Sequence, residues 1–216
     1  MTKAKFSGNE MRLYSPDGHR LYLNKDERTR FLEAAKEEGR EDRLYCSLLH
    51  YTGARPSEIL GLTPDHISFP EQSVIFRTLK KRRRDQYGNE KLPEYRSVPV
   101  PVDLIDQLDL VFDIRSINRR RKKTNEPIFH KHRSSMWRMV KRVMDRAKID
   151  GRQATPKGLR HGFGIAMLEG DRPLPIHIVS QLLGHSDTKT TEIYLQATGK
   201  EKRRMVIEAW DLKTPG

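Results

Sequence analysis

The amino-acid sequence predicts a mixed, mainly α-helical domain with one small antiparallel β-sheet. Apolar residues recur at helical spacing through most of the chain, as in the set Phe31, Leu32 and Ala35 and the set Met136, Val140, Val143 and Ala147. Two stretches instead read as strands: Ser73 to Thr78 (SVIFRT) and Arg96 to Val100 (RSVPV). A long, very basic segment, Leu79 to Tyr95, joins them, with Gly88-Asn89 as its turn. Pro99 has no N–H to give a ladder, which makes its strand an edge strand.

Residues 1–22 form a basic arm or hairpin, in which two short alternating runs flank the turn sequence Ser15-Pro16-Asp17-Gly18. The first helix begins at Asn24, an N-cap with Glu27 three residues on, and runs to Gly39. A second spans about Asp42 to Tyr51, with Leu44, Tyr45, Leu48 and Leu49 apolar, and stops at Gly53. Arg55 therefore falls in a break between helices. Pro56 suits the first position of the next short helix, which ends at Gly61. Asp103 to Ile117 is amphipathic, and Arg119-Arg120-Arg121-Lys122-Lys123 forms a charged loop. Ser134 or Ser135 caps the helix that carries Met136. In the last third, short apolar runs that read as helices separate Arg160, His185 and Tyr194.

With 216 residues the chain can bury one sizeable core. A net charge of +13 and a pI near 9.9 call for a polyanionic partner. The aromatic share of 7% argues against a reader of single strands, which needs stacking platforms. No apolar run approaches the roughly 20 residues of a membrane span, and MTKAKFSGNE has no apolar signal core, so a soluble, cytoplasmic protein is expected. Cys46 is alone, which excludes an intrachain disulfide and suits a small buried hydrophobe. His130 and His132 lack a third ligand nearby, so neither metal nor cofactor is expected.

Most arginines in so basic a chain lie on the surface or in ion pairs, but Arg55 and Arg160 stand in short motifs. Each guanidinium keeps its charge at working pH and presents a planar fork, so the pair could neutralise both non-bridging oxygens of a phosphodiester. Glu58, three residues past Arg55, can orient that guanidinium across one helical turn. Tyr194 offers a phenol with a reference pKa near 10, and cations around a phosphate favour its phenolate. Attack would leave a covalent phosphotyrosine and a free DNA hydroxyl, and reverse attack would reseal the strand without ATP. His185, after Gly184 at a helix end, can bond the phosphate or help a proton move.

Four motifs in order, TGARPSE, LRH, LGH and a tyrosine nine residues after His185, resemble the tyrosine recombinase (phage integrase) family over roughly Leu23 to Ala197. The resemblance implies that family's catalytic-domain fold over 23–197, followed by a tail or helix, 198–216. It implies a site-specific recombinase that cuts and rejoins double-stranded DNA through a 3′-phosphotyrosine, with no metal. The catalytic set would be Arg55, Lys80, Lys157, Arg160, His185 and Tyr194, supported by Glu58 and His161. Lys80 would protonate the leaving 5′ oxygen, with Lys81 as the alternative, while Lys81, Arg82, Arg83, Arg84, Arg119, Arg120 and Arg121 would contact DNA. Lys157 departs from the pattern, standing where the family most often has His. It is a poor base at its reference pKa near 10.4, which leaves the general base open.

Family behaviour further implies a homo-oligomer on DNA, commonly a tetramer, with Val206, Ile207, Ala209 and Trp210 either docking on a neighbour or packing on their own subunit. Relatives usually carry a core-binding domain ahead of the catalytic one. Here about twenty residues precede the first helix, as expected of a compact member that relies on its arm or of a fragment. The alternatives are a type IB topoisomerase, a non-catalytic DNA-binding regulator on the same domain and, on charge alone, an RNA-binding or ribosome-associated protein.

Overall fold

A computed structural model describes residues 12–78, 89, 92–120, 125–169, 172–185 and 187–197. The first helix, α1 (Lys25–Ala35), opens on a reciprocal cap: the Asn24 side chain accepts from the Glu27 N–H at 2.9 Å, and the Glu27 carboxylate accepts from the Asn24 N–H at 2.9 Å. Glu27 also takes a fork of two hydrogen bonds from Arg20. Arg20 belongs to a small N-terminal hairpin closed by the Leu21 N–H donating to Leu13 and turned at Gly18 with φ +80°. This hairpin is packed onto the domain, because Leu13 is buried.

Helix α2 (Arg40–Thr52) is stopped by Gly53 in the left-handed conformation, and short α3 (Pro56–Leu60) follows with proline at its first position. Among the described residues the sheet has three strands, β1 (Ile67–Ser68), β2 (Ser73–Arg77) and β3 (Tyr95–Pro99), all antiparallel in the order β1-β2-β3. Strand β1 was not anticipated; two residues are too few to show an alternation. Strand β3 is the edge that Pro99 requires, with Pro99 paired to Ser73.

The helix expected from Asp103 to Ile117 is two helices, α4 (Val102–Phe112) and α5 (Ile114–Arg119). Asp113 breaks it by adopting the left-handed conformation (φ +51°), its N–H capping the Asp109 carbonyl, while the Asp109 carboxylate holds the Arg115 N–H at 2.7 Å. Arg119 accordingly ends a helix instead of opening a loop. On α6 (Arg133–Arg146) the cap is neither serine but His132, whose ring nitrogen accepts from the Ser134 N–H. Helix α7 (Pro156–Glu169) begins after Thr155, whose hydroxyl accepts from the Gly158 N–H. Helix α8 (Ile176–Leu183), α9 (Lys189–Glu192) and a 3₁₀ turn (Ile193–Ala197) complete the described chain.

Two apolar clusters hold these elements. The larger joins α1, α2, α3, the sheet, α4 and α6 through residues such as Phe31, Leu48, Ile59, Phe76, Leu108 and Val140, and Cys46 sits in it against Met139. The smaller gathers Leu13, Phe163, Ile165, Leu168, Val179, Leu183 and Tyr194 between the hairpin, α7, α8 and the final turn. Fully burying one such side chain contributes about 2–3 kcal/mol. Among the described residues no helix is long and apolar enough to cross a membrane.

Candidate active site

The loop between α2 and α3 is built by its own side chains. Thr52 donates its hydroxyl to the Leu48 carbonyl and accepts from the Ala54 N–H at 3.1 Å, which turns the chain out of α2. Gly53 is required twice over: its φ is +57°, and a Cβ there would lie 2.6 Å from the Phe163 ring. Arg55 then points from the mouth of α3, its side chain 24% exposed, with Nη1 donating to Glu58 Oε1 at 2.7 Å. The second Glu58 oxygen takes the Arg55 N–H at 2.8 Å and Arg96 Nη2 at 2.5 Å. Burial pushes the Glu58 carboxyl up, but the Arg96 bond and charge, with the bonds from Arg55, leave it below the usual range.

Arg160 projects from α7 into the gap between two helix ends. It donates through Nη1 to the Gly53 carbonyl at 2.7 Å and through Nη2 to the Leu183 carbonyl at 2.6 Å. These acceptors precede Arg55 and His185 by two residues each, so one buried guanidinium ties the two motif loops together. Desolvation, reinforced by the Arg55 charge, holds its pKa down to about 9.

Helix α8 ends in a Schellman turn: the His185 N–H returns to the Ser180 carbonyl and Gly184 takes φ +64°. The half-buried His185 ring pairs its Nδ1 with the buried Thr191 hydroxyl at 2.7 Å and stacks on Tyr194, 6.4 Å between centroids and 21° between planes. Tyr194 is wholly buried. Its hydroxyl meets His161 Nδ1 at 3.2 Å, and its ring fills the space left by Gly164, where a Cβ would approach it to 2.6 Å. Burial pushes the phenol up to about 12, against the pull of the Arg160 and Arg55 charges. His161 is buried too, and desolvation, followed by the Lys157 and Arg160 charges, pushes it down to about 3.

Arg55, Glu58, Arg160, His161, His185 and Tyr194 are thus brought together, with the exposed Lys157 one turn before His161 on α7. Both arginines pull the phenol toward ionisation, as expected of cations, but in this enclosed position desolvation outweighs them. Lys80, Lys81, Arg82, Arg83, Arg84 and Arg121 lie outside the described residues, as do 1–11 and 198–216. Arg119 and Arg120 are exposed at the end of α5, whose main packing is on α4 and the Pro64–His66 turn.

Three participants escaped sequence reasoning: Arg96, Gly164 and Thr191. Arg96 alone had a signal, since the alternation of RSVPV puts it on the same inward face as Val98, where an arginine needs a carboxylate. A cleft of about 370 Å³ opens between β3 and α8, lined in part by Thr78, Arg96, Ser97, Gln181, Gly184 and His185. Among the described residues no group of three or more acidic, histidine or cysteine side chains is placed to hold a metal.

The profile of the phage integrase family matches residues 22–201. The chain belongs to the phage integrase family. This integrase-family chain is similar to the tyrosine recombinase XerA of Pyrococcus furiosus, 30% identical over an aligned length of 196, with coverage of 87% of this chain and 61% of the relative. It therefore spans less than two thirds of that relative's length. Its fold is similar to that of XerH site-specific recombinase bound to palindromic difH substrate in a post-cleavage complex, with TM-score 0.68, 19% identity and coverage of 94% of this chain and 57% of the other. It is also similar to the catalytic domain of bacteriophage HP1 integrase, with TM-score 0.55, 21% identity and coverage of 86% and 92%. The architecture is that of tyrosine recombinase catalytic domains, mainly helical with a three-stranded antiparallel sheet. These relatives lend no support to the topoisomerase or regulator alternatives.

Proposed function

We propose that this chain carries the catalytic domain of a site-specific recombinase, cutting and rejoining double-stranded DNA through Tyr194. The observation that carries the proposal is Arg160 bridging the carbonyls of Gly53 and Leu183, which ties the loop of Arg55 to the loop of His185, whose ring stacks on the buried Tyr194. Residues 23–197 would form the catalytic unit, preceded by the basic arm and followed by a tail. The net charge of +13 suits a DNA partner, and the similar XerH structure holds its difH substrate.

In the proposed reaction the scissile phosphate enters beside Arg55, whose half-open guanidinium takes one non-bridging oxygen. Arg160 keeps a second N–H on each terminal nitrogen for the other oxygen. Tyr194 leaves its bond to His161 and gives its proton to His185, the imidazole stacked on its ring. Its oxygen attacks phosphorus while the P–O5′ bond breaks, and a 3′-phosphotyrosine forms. The departing 5′ oxygen takes a proton from Lys80, two residues beyond Thr78 in the chain. Reverse attack by a 5′ hydroxyl restores the phosphodiester and the phenol. His185, held by Thr191, bonds the phosphate, and Lys157 supplies a further cation. Arg82, Arg83, Arg84, Arg119, Arg120 and Arg121 would hold the flanking duplex. The active form would be a homo-oligomer on DNA, a tetramer, working in the cytoplasm.

The test is incubation with DNA from the flanking genome, followed by trapping and sequencing of covalent adducts. Wild type should yield an SDS-resistant protein–DNA band at a defined site and Tyr194→Phe none. A band of equal strength from Tyr194→Phe would overturn the assignment.

A further inference from the structure

The cation nearest the motif residues that the proposed reaction leaves unused is Arg96 on β3. Its side chain is 7% exposed, too closed to meet a duplex directly, and it makes three contacts with different elements. Nη2 donates to Glu58 Oε2 at 2.5 Å, on the carboxylate whose other oxygen holds Arg55. Nε donates to the Leu182 carbonyl at 2.8 Å, in the last turn of α8, three residues before His185. The guanidinium lies over the Phe76 ring of β2, 5.2 Å from its centroid.

An independent observation ties the same group to the loop after α8. Gly184 is left-handed, and a Cβ there would come within 2.9 Å of Arg96 Nη1 and 3.1 Å of its Cδ. The glycine before His185 thus gives Arg96 room as well as turning the chain. Arg55 has no carboxylate partner among the described residues except Glu58, and Glu58 is fully enclosed. Without Arg96 its Oε2 would keep only the Arg55 N–H. Glu58 could then rotate toward a single arginine, and both the Arg55 fork and the α8 end would lose their common anchor.

We propose that Arg96 is a positioning residue which, through Glu58 and the Leu182 carbonyl, sets Arg55 and the His185 loop at their mutual distance for phosphoryl transfer. It rests on the recombinase reading. Arg160 fixes the same two loops through backbone carbonyls from the α7 side, and Arg96 fixes them from the sheet side through a carboxylate and a carbonyl. Lysine could keep the charge opposite Glu58 but has no planar fork to reach Leu182 at the same time.

The experiment is a double-mutant cycle on single-turnover adduct formation. It uses saturating nicked duplex that carries the site mapped with the wild-type protein. Arg96→Met should slow adduct formation by on the order of 10²-fold, the scale of a 1 Å misplacement of a reacting group. Arg96→Lys should recover about 10-fold of that loss, and duplex affinity should stay within about 3-fold, since the group is buried. Arg55→Lys combined with Arg96→Met should be slowed by about 10-fold less than the product of the two separate losses, because Arg96 acts in part through the Arg55 guanidinium. Adduct formation at the wild-type rate in Arg96→Met, or separate losses that multiply in the double variant, overturns the inference. Should Arg96→Met not fold, the same cycle with Arg96→Lys decides between those outcomes. Absence of adducts from wild type overturns the recombinase reading and this inference with it, whereas adducts unaffected by Arg96 substitution overturn this inference alone.

Discussion

Gly164→Ala should push Tyr194 out of its closed position. An added Cβ would meet the tyrosine Cε2 at 2.6 Å and Cζ at 2.8 Å, closer than real side chains approach, and the tyrosine ring is the group able to move. Loss of its burial costs about 2–3 kcal/mol, against a gain of about 1 kcal/mol from replacing a mid-helix glycine by alanine. Stability at neutral pH should therefore fall by about 1–2 kcal/mol. The phenol, pushed up to about 12 when enclosed, should return toward its ordinary value near 10. That raises the phenolate fraction at pH 8 by on the order of 10²-fold. The assay is titration of the tyrosine Cζ resonance by NMR, assigned by its absence in Tyr194→Phe, with urea unfolding run in parallel. A resonance still titrating near 12, together with wild-type stability, would refute the reasoning that the glycine makes the pocket.

Two further outcomes follow from the same residues. An unfolded chain protonates His161 below pH 6.5, whereas the buried ring is held down to about 3; its contribution is complete above 6.5 and is lost as pH falls through that window, at a slope of about 1.4 kcal/mol per pH unit. Tyr194 is the mirror case, with its contribution complete below 10 and lost between 10 and 12. Urea unfolding across pH should show both edges, and His161→Phe should make only the acid one shallower, because His50, also pushed down by burial to about 4, keeps its share of it. Lys157→Ala should lower adduct formation by on the order of 10²-fold at saturating DNA and fixed salt. Cleavage at the wild-type rate would make Lys157 a solvated surface residue.

What could be read from the sequence was mostly local. The Asn24 and Glu27 cap, the stop at Gly53, Pro56 at a helix start and Pro99 on an edge each follow from the stereochemistry of one or two residues. The motif residues were found because they stand in short fixed spacings. The break at Asp113 was hidden, because an aspartate gives little notice of a left-handed conformation that its neighbours impose. The histidine cap of α6 was missed because serine is the commoner cap and two stood nearby. The state of Tyr194 was invisible for a different reason: its spacing from His185 says that the side chains are near one another, and says nothing of the water excluded around them. Sequence chemistry set cations and a phosphate beside a phenol; it could not show the desolvation that outweighs the two arginines while the ring is enclosed.

The division of the described interior into two apolar clusters bears on the proposed role of Tyr194, a nucleophile that would have to travel. Tyr194 belongs to the smaller cluster, shared by the hairpin, α7, α8 and the last turn, and not to the one that holds the sheet to α1, α2 and α6. Withdrawing one ring there forfeits about 2–3 kcal/mol, well inside the 5–15 kcal/mol that typically separates a folded domain from its unfolded chain. The larger cluster is left intact by that departure, and with it the scaffold beneath Arg55 and Glu58. A nucleophile housed in the larger cluster would face the choice between staying buried and melting the frame that orients its arginines; placed in the annex, it can swing out while the frame stands.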